Sequence, residues 1–154
     1  MIYMDHISKC YNKGEIKAVD DLCLNVRPGE IFGFLGPNGA GKTTTIKMIV
    51  GLLQPDRGRI VINGCSITEE PVQAKAQIGY VPQYTKFDRD FPIDVIGTVL
   101  TGRLPGKIKP FHKFRPCDYD IVMSIMEKLR IVDLKDRQIG QLSGGQLQRV
   151  LIAR

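Results

Sequence analysis

Gly36-Pro37-Asn38-Gly39-Ala40-Gly41-Lys42-Thr43-Thr44 fits the spacing GxxxxGK[ST], and its flanks decide how the chain folds around it. Upstream, residues 31–35 are a short apolar run bounded by glycines, the pattern of a strand buried on both faces of a parallel sheet. Downstream, residues 42–53 place apolar side chains at Ile46, Ile49, Val50 and Leu53, a helical rhythm. Strand, glycine loop and helix in that order suit a phosphate chain. The glycines let the backbone curl and aim several N–H groups at one ligand, and the helix start adds its positive dipole end. In such a cradle Lys42 reaches the β- and γ-phosphates and the Thr43 hydroxyl sits on Mg²⁺.

Further out, residues 2–8 read as a first strand and residues 11–14 as a turn. Leu22, Leu24 and Val26 alternate with polar residues, as in a half-buried strand. Arg27-Pro28-Gly29-Glu30 is a turn, and Pro55-Asp56-Arg57-Gly58 ends the helix. Residues 59–62 with Asn63-Gly64 predict a strand entering a hairpin, and residues 78–81 a short strand closed by Pro82. The second half is helical. Residues 93–100 and 119–129 predict helices, the latter with Ile121, Val122, Ile125, Met126 and Leu129 on one face. A last helix begins near Gly144 and runs through Leu147, Val150 and Leu151.

The 154 residues suffice for one ordinary domain, and 43% hydrophobic with 25% charged residues is the composition of a globular chain. No apolar run has the roughly 18 to 20 residues of a membrane-spanning helix, and MIYMDHISKCYNK lacks the pattern of a secretory signal. The net charge of +6 is dispersed, without an aromatic-interleaved basic stripe, so no nucleic-acid partner is expected. Cys10, Cys23, Cys65 and Cys117 show no CxxC spacing and predict neither a zinc site nor a disulfide framework. His6 and His112 carry no partner pattern.

The phosphate loop alone is shared by GTPases, kinases and motor ATPases. Leu142-Ser143-Gly144-Gly145-Gln146 alone is open to a plain reading, a Ser cap with glycines at a helix start. Together the two motifs, with the extended run LSGGQLQRVLIAR, resemble the ATPases of the ABC family across essentially the whole chain. The resemblance implies an α/β fold: a P-loop NTPase (RecA-like) core with an antiparallel β subdomain and a helical subdomain, truncated after the signature helix. The implied division is residues 1–83 for an incomplete core plus β subdomain and residues 84–154 for the helical subdomain.

The same resemblance assigns roles. Gly36, Pro37, Asn38, Gly39, Ala40, Gly41, Lys42, Thr43 and Thr44 bind ATP, with Thr43 and Gln83 on Mg²⁺ and Lys42 and Gln83 in the catalytic set. Tyr11 stacks on adenine. Ser143, Gly144, Gly145 and Gln146 close on the γ-phosphate held by a second ATP-binding subunit in a head-to-tail dimer. Expected partners are that second subunit and transmembrane permease subunits, at the cytoplasmic, inner face of the cell membrane. GEIFGFLGPNGAGKTTTIKMIVGLLQPDRG looks like export-type systems, whereas FDRDFPIDVIGTVLTGR looks like zinc, manganese or iron importers. The family's apolar strand ending in Asp-Glu and its switch histidine have no counterpart here, which predicts a piece unable to complete hydrolysis. Two other readings stay open at this level: an ABC ATPase acting on ribosomes or DNA, and a nucleotide-binding module without catalysis.

Overall fold

The computed structural model describes residues 1–82, 91–105 and 112–154, the Lys13 side chain excepted. The chain divides into two compact units, Met1–Tyr80 and Val81–Arg154.

The first unit is built on an antiparallel sheet. Strands β1 (Ile2–Tyr11), β2 (Ile16–Val26), β3 (Arg57–Ile62) and β4 (Cys65–Ser66) lie in the order β2-β1-β3-β4. Helices α1 (Lys42–Ile49) and α2 (Pro71–Lys75) complete it. Met4, Ile7, Ile60 and Ile62 from the sheet pack with Met48, Ile49, Ile67 and Ala74 in one core. Met4 and Ile7 are three residues apart, so in a regular strand they would face opposite sides. An irregularity between them resets the alternation, and His6 takes φ of 50° to make it. Across the ladder sits Gly58, where a Cβ would run into the Asp5 and His6 carbonyl oxygens. The bulge therefore turns both apolar side chains inward.

Two expected strands do not form. Residues 31–35 and 78–81 pair with no described strand, and Ile31 and Leu35 are 100% and 95% exposed. A strand buried on both faces needs hydrogen-bonding neighbours and cover on each side. The antiparallel strands here bond only to one another. Phe32 and Phe34 meet edge to face at 5.3 Å beside an open cavity of about 470 Å³, lined also by Ile46, Ile49, Ile78 and Tyr80. Helix α1 also stops earlier than expected. Gly51 N–H donates to Met48 and Leu52 N–H to Lys47, the paired bonds that close a helix C-terminus, so residues 50–53 leave the helix.

The second unit packs α3 (Val95–Leu100), α4 (Pro116–Lys128) and α5 (Gly144–Ala153) around Val95, Val99, Val122, Met126, Ile131 and Val150. Asp94 caps α3 by accepting from Gly97 N–H at 2.7 Å. Helix α4 starts three residues before the expected Tyr119, because Pro116 suits its first position and Asp118 accepts from the Arg115 N–H at 3.0 Å. Asp118 is only 5% exposed and also accepts from Arg103 Nε and Nη2, each at 3.2 Å.

The Arg115 N–H holds the Asp118 carboxyl below its ordinary pKa; burial pulls the other way and Arg103 reinforces the lowering. A carboxyl whose folded pKa is depressed stabilises the fold above its unfolded value, and that share is lost as pH falls through the folded one. Denaturant melts at about pH 7 and about pH 3 should therefore show Asp118→Asn less stable than wild type at the higher pH, with the difference shrinking at the lower. An equal gap at both values would contradict an ionised Asp118.

Candidate nucleotide site

The glycine loop leaves the exposed 31–35 segment, turns through an Ala40 N–H to Pro37 bond, and enters α1 at Gly41. Gly41 has φ of 80°, and a Cβ there would collide with the Ala18 carbonyl and lie 3.2 Å from Val19 Cγ2. Only glycine lets the helix start sit directly on β2. Thr45, 3% exposed, reinforces the turn: its N–H and Oγ1 both reach the Gly41 carbonyl, at 2.8 and 3.0 Å. No side chain caps the start of α1. The first N–H groups of a helix have no partners of their own, so this end offers donors and positive potential.

Lys42 brings the cation. Its ammonium donates to the Gly36 and Pro37 carbonyls, both at 2.6 Å, so the charge lies inside the curve of its own loop. Thr43 is exposed and Thr44 half-buried on the first turn of α1, while Gly36, Pro37, Asn38, Gly39 and Ala40 are all exposed. Uncapped N–H groups, a convergent ammonium and an exposed hydroxyl suit a polyphosphate with its metal ion.

Tyr11 ends β1 opposite Ile16 and is 41% exposed. Ile16 is two residues from Ala18, whose carbonyl underlies Gly41. One end of β2 therefore carries both the loop and, across the ladder, the Tyr11 ring, with a spacing of about 7 Å along the strand between the two anchor points. Ala18 and Thr45 were not distinguishable in the sequence. Ala18 is small and unremarkable by type, and Thr45 differs from its two neighbouring threonines only by burial.

In the second unit Ser143 is the cap of α5. Its Oγ accepts from Gln146 N–H at 3.3 Å, and Gln146 Oε1 accepts from Ser143 N–H at 2.9 Å. The Ser143 N–H is thus already paired with Gln146, while its hydroxyl proton takes part in neither bond. Gly144 and Gly145 are exposed, and a Cβ at either would meet nothing within 4 Å. Internal packing does not require them. Glycine costs about 1 kcal/mol against alanine in a helix, so two at the first turn fit a surface that something outside the chain approaches closely. Gln83 lies outside the described residues.

The model of the ABC transporter family matches residues 19–154. The manganese transport system ATP-binding protein of Synechocystis sp. is 39% identical over 153 residues, covering 99% of this chain and 57% of that protein. The Nod factor export ATP-binding protein I of Cupriavidus metallidurans is 36% identical over 154 residues, 100% of this chain and 48% of its own length. A solved ATP-binding cassette of an ABC transporter superposes with a TM-score of 0.82 at 30% identity, over 99% of this chain and 62% of that one. The chain spans about half to three fifths of the length of these proteins. With a phosphate loop seated on its sheet and a family match running from Val19 to Arg154, the chain belongs to the ABC transporter family, among its ATP-binding cassettes.

Proposed function

We propose that the chain forms the ATP-binding part of an energy-coupling subunit of an ABC membrane transporter. The observation that carries this reading is the Lys42 ammonium held within a glycine loop at the uncapped start of α1, in a chain of this family. Lys42 pairs with the β- and γ-phosphates, the N–H groups from Gly39 to Thr44 line them, and Thr43 with Gln83 holds Mg²⁺. When bound, that ion neutralises charge on the transferring phosphoryl group. Tyr11 offers its ring to adenine. An aromatic face stacks on any purine, so this contact adds affinity more than base selectivity.

Ser143, Gly144, Gly145 and Gln146 serve a second subunit: they approach the γ-phosphate that the partner's loop holds. Support comes from the two glycines that no internal contact explains. Residues 1–83 act as core and β subdomain, and residues 84–154 as the helical subdomain that meets the permease. No described helix is long and apolar enough to cross a membrane, which suits a subunit working against a separate permease at the inner membrane face.

Both relatives described above are named for transport or export, which favours this reading over action on ribosomes or DNA. The stretch FDRDFPIDVIGTVLTGR and the manganese-system relatives favour a metal cation as the transported substrate. Metal uptake by the source cells, with and without the gene for this protein, tests that part.

Charge-assisted hydrogen bonds contribute about 1.5–3 kcal/mol each. Lys42→Ala should therefore weaken ATP binding about tenfold to a hundredfold by calorimetry on the whole protein. Unaltered affinity would remove Lys42 from the site. Ser143→Arg should leave nucleotide affinity intact while ATP-driven dimers disappear in sizing experiments. Normal ATP-dependent dimers in this variant would contradict the role given to the start of α5.

A further inference from the structure

The bulge in β1 brings together groups that regular strand alternation would separate. Asp5 and His6 are successive residues, which in an undistorted strand point to opposite faces. With His6 at φ of 50°, a ring nitrogen of His6, the Cys23 thiol sulfur and an Asp5 carboxylate oxygen all lie within 4.8 Å of one another. Cys23 belongs to β2, and its sulfur also accepts from the His6 backbone N–H at 3.3 Å. A second irregularity supplies the next layer. Asp21, itself at φ of 51°, sets Oδ1 2.7 Å from His6 Nδ1, and its own N–H donates to Ser8 Oγ at 3.1 Å.

Left-handed backbone at a non-glycine residue is uncommon and costly, and two such residues here serve one cluster. We propose that His6, Cys23 and Asp5 form a binding site for a divalent transition metal of the zinc class, with Asp21 orienting the imidazole. The donor set is one nitrogen, one sulfur and one oxygen, which suits a borderline ion such as Zn²⁺ better than Mg²⁺ or Ca²⁺, whose ligands are oxygens. Three protein ligands leave a position of a tetrahedral ion to water. A carboxylate against the ring of a ligating histidine is the usual support, because it fixes the ring and raises its basicity.

The local field agrees with the geometry. The Asp21 carboxylate beside the His6 ring and the Asp5 carboxylate in the cluster place two negative charges where the cation would lie. Arg59 Nε stands 3.4 Å from Asp5 Oδ2, and Tyr3 donates to Asp5 Oδ1 at 3.3 Å. The Arg59 side chain is 67% exposed, so it can swing into water as an ion arrives. The site shares no residue with the nucleotide loop, and its test is independent of ATP.

Co²⁺ titration of the whole, nucleotide-free protein, followed by Zn²⁺ competition, reads the site directly. Wild type should show a thiolate-to-cobalt charge-transfer band that saturates at one equivalent. Cys23→Ser should abolish the band, and it should persist in Cys10→Ser, Cys65→Ser and Cys117→Ser. His6→Asn keeps a residue that tolerates left-handed backbone, and should weaken Zn²⁺ affinity at least about tenfold. No band in wild type, or a band and affinity unchanged in Cys23→Ser or His6→Asn, overturns the proposal. Retention of ATP affinity in both variants separates this outcome from that of the nucleotide site.

Discussion

The close seat of Gly41 on the Ala18 carbonyl is the contact on which the first unit turns. It fixes where α1 begins, and therefore where its unpaired N–H groups and the Lys42 ammonium converge. A residue with a Cβ would lift the helix start off β2 and move that whole set of donors. The same strand carries Ile16, paired with Tyr11. A single strand end thus serves as the common reference for the loop and for the aromatic ring. Thr45 then locks the turn from inside, with two bonds to the carbonyl of the glycine that makes the approach.

The glycines of this chain divide by what surrounds them. At Gly41 and Gly58 a side chain would strike backbone oxygens, so the fold itself demands their absence. At Gly144 and Gly145 the surroundings are open, and helix propensity argues against them. A residue that a local rule disfavours and no internal contact explains marks a surface shaped by function. That difference separates Gly41 and Gly58, which the packing of the first unit requires, from the two glycines of α5, which no internal contact requires.

Much of this was legible because the signals were local. The start of α1 at Lys42 follows from the motif, the hairpin at Asn63-Gly64 from turn chemistry, and most of the apolar face of α4 from its period: Val122 and Met126 are buried and Ile125 and Leu129 half-buried, whereas Ile121 is 39% exposed at its edge. The misses have physical causes. Residues 31–35 carry the composition of a buried strand, but pairing depends on neighbours that local sequence does not specify. The early end of α1 comes from Gly51, overridden in the reading by the continuing apolar rhythm to Leu53. The bulges at His6 and Asp21 left no trace, since neither residue type announces a left-handed backbone inside a strand. Cys23 and His6 therefore looked unpartnered by spacing although the ladder sets them side by side. A Ser143 cap is only the plain reading of LSGGQ, although the Ser-x-x-Gln spacing already carries the reciprocal bond that the structure shows.

That reciprocal bond has an energetic consequence for whatever docks at α5. Two groups at this end are already committed to each other, and an N-terminal cap of this kind contributes about 1 kcal/mol to its helix. An incoming anion that uses the Gly144 and Gly145 amides and the Ser143 O–H would leave the cap intact, because Oγ only accepts in it. One that recruits the Ser143 N–H must first displace Gln146 Oε1 from it. Only recruitment of that N–H would be an exchange, in which the gain must exceed the bond given up.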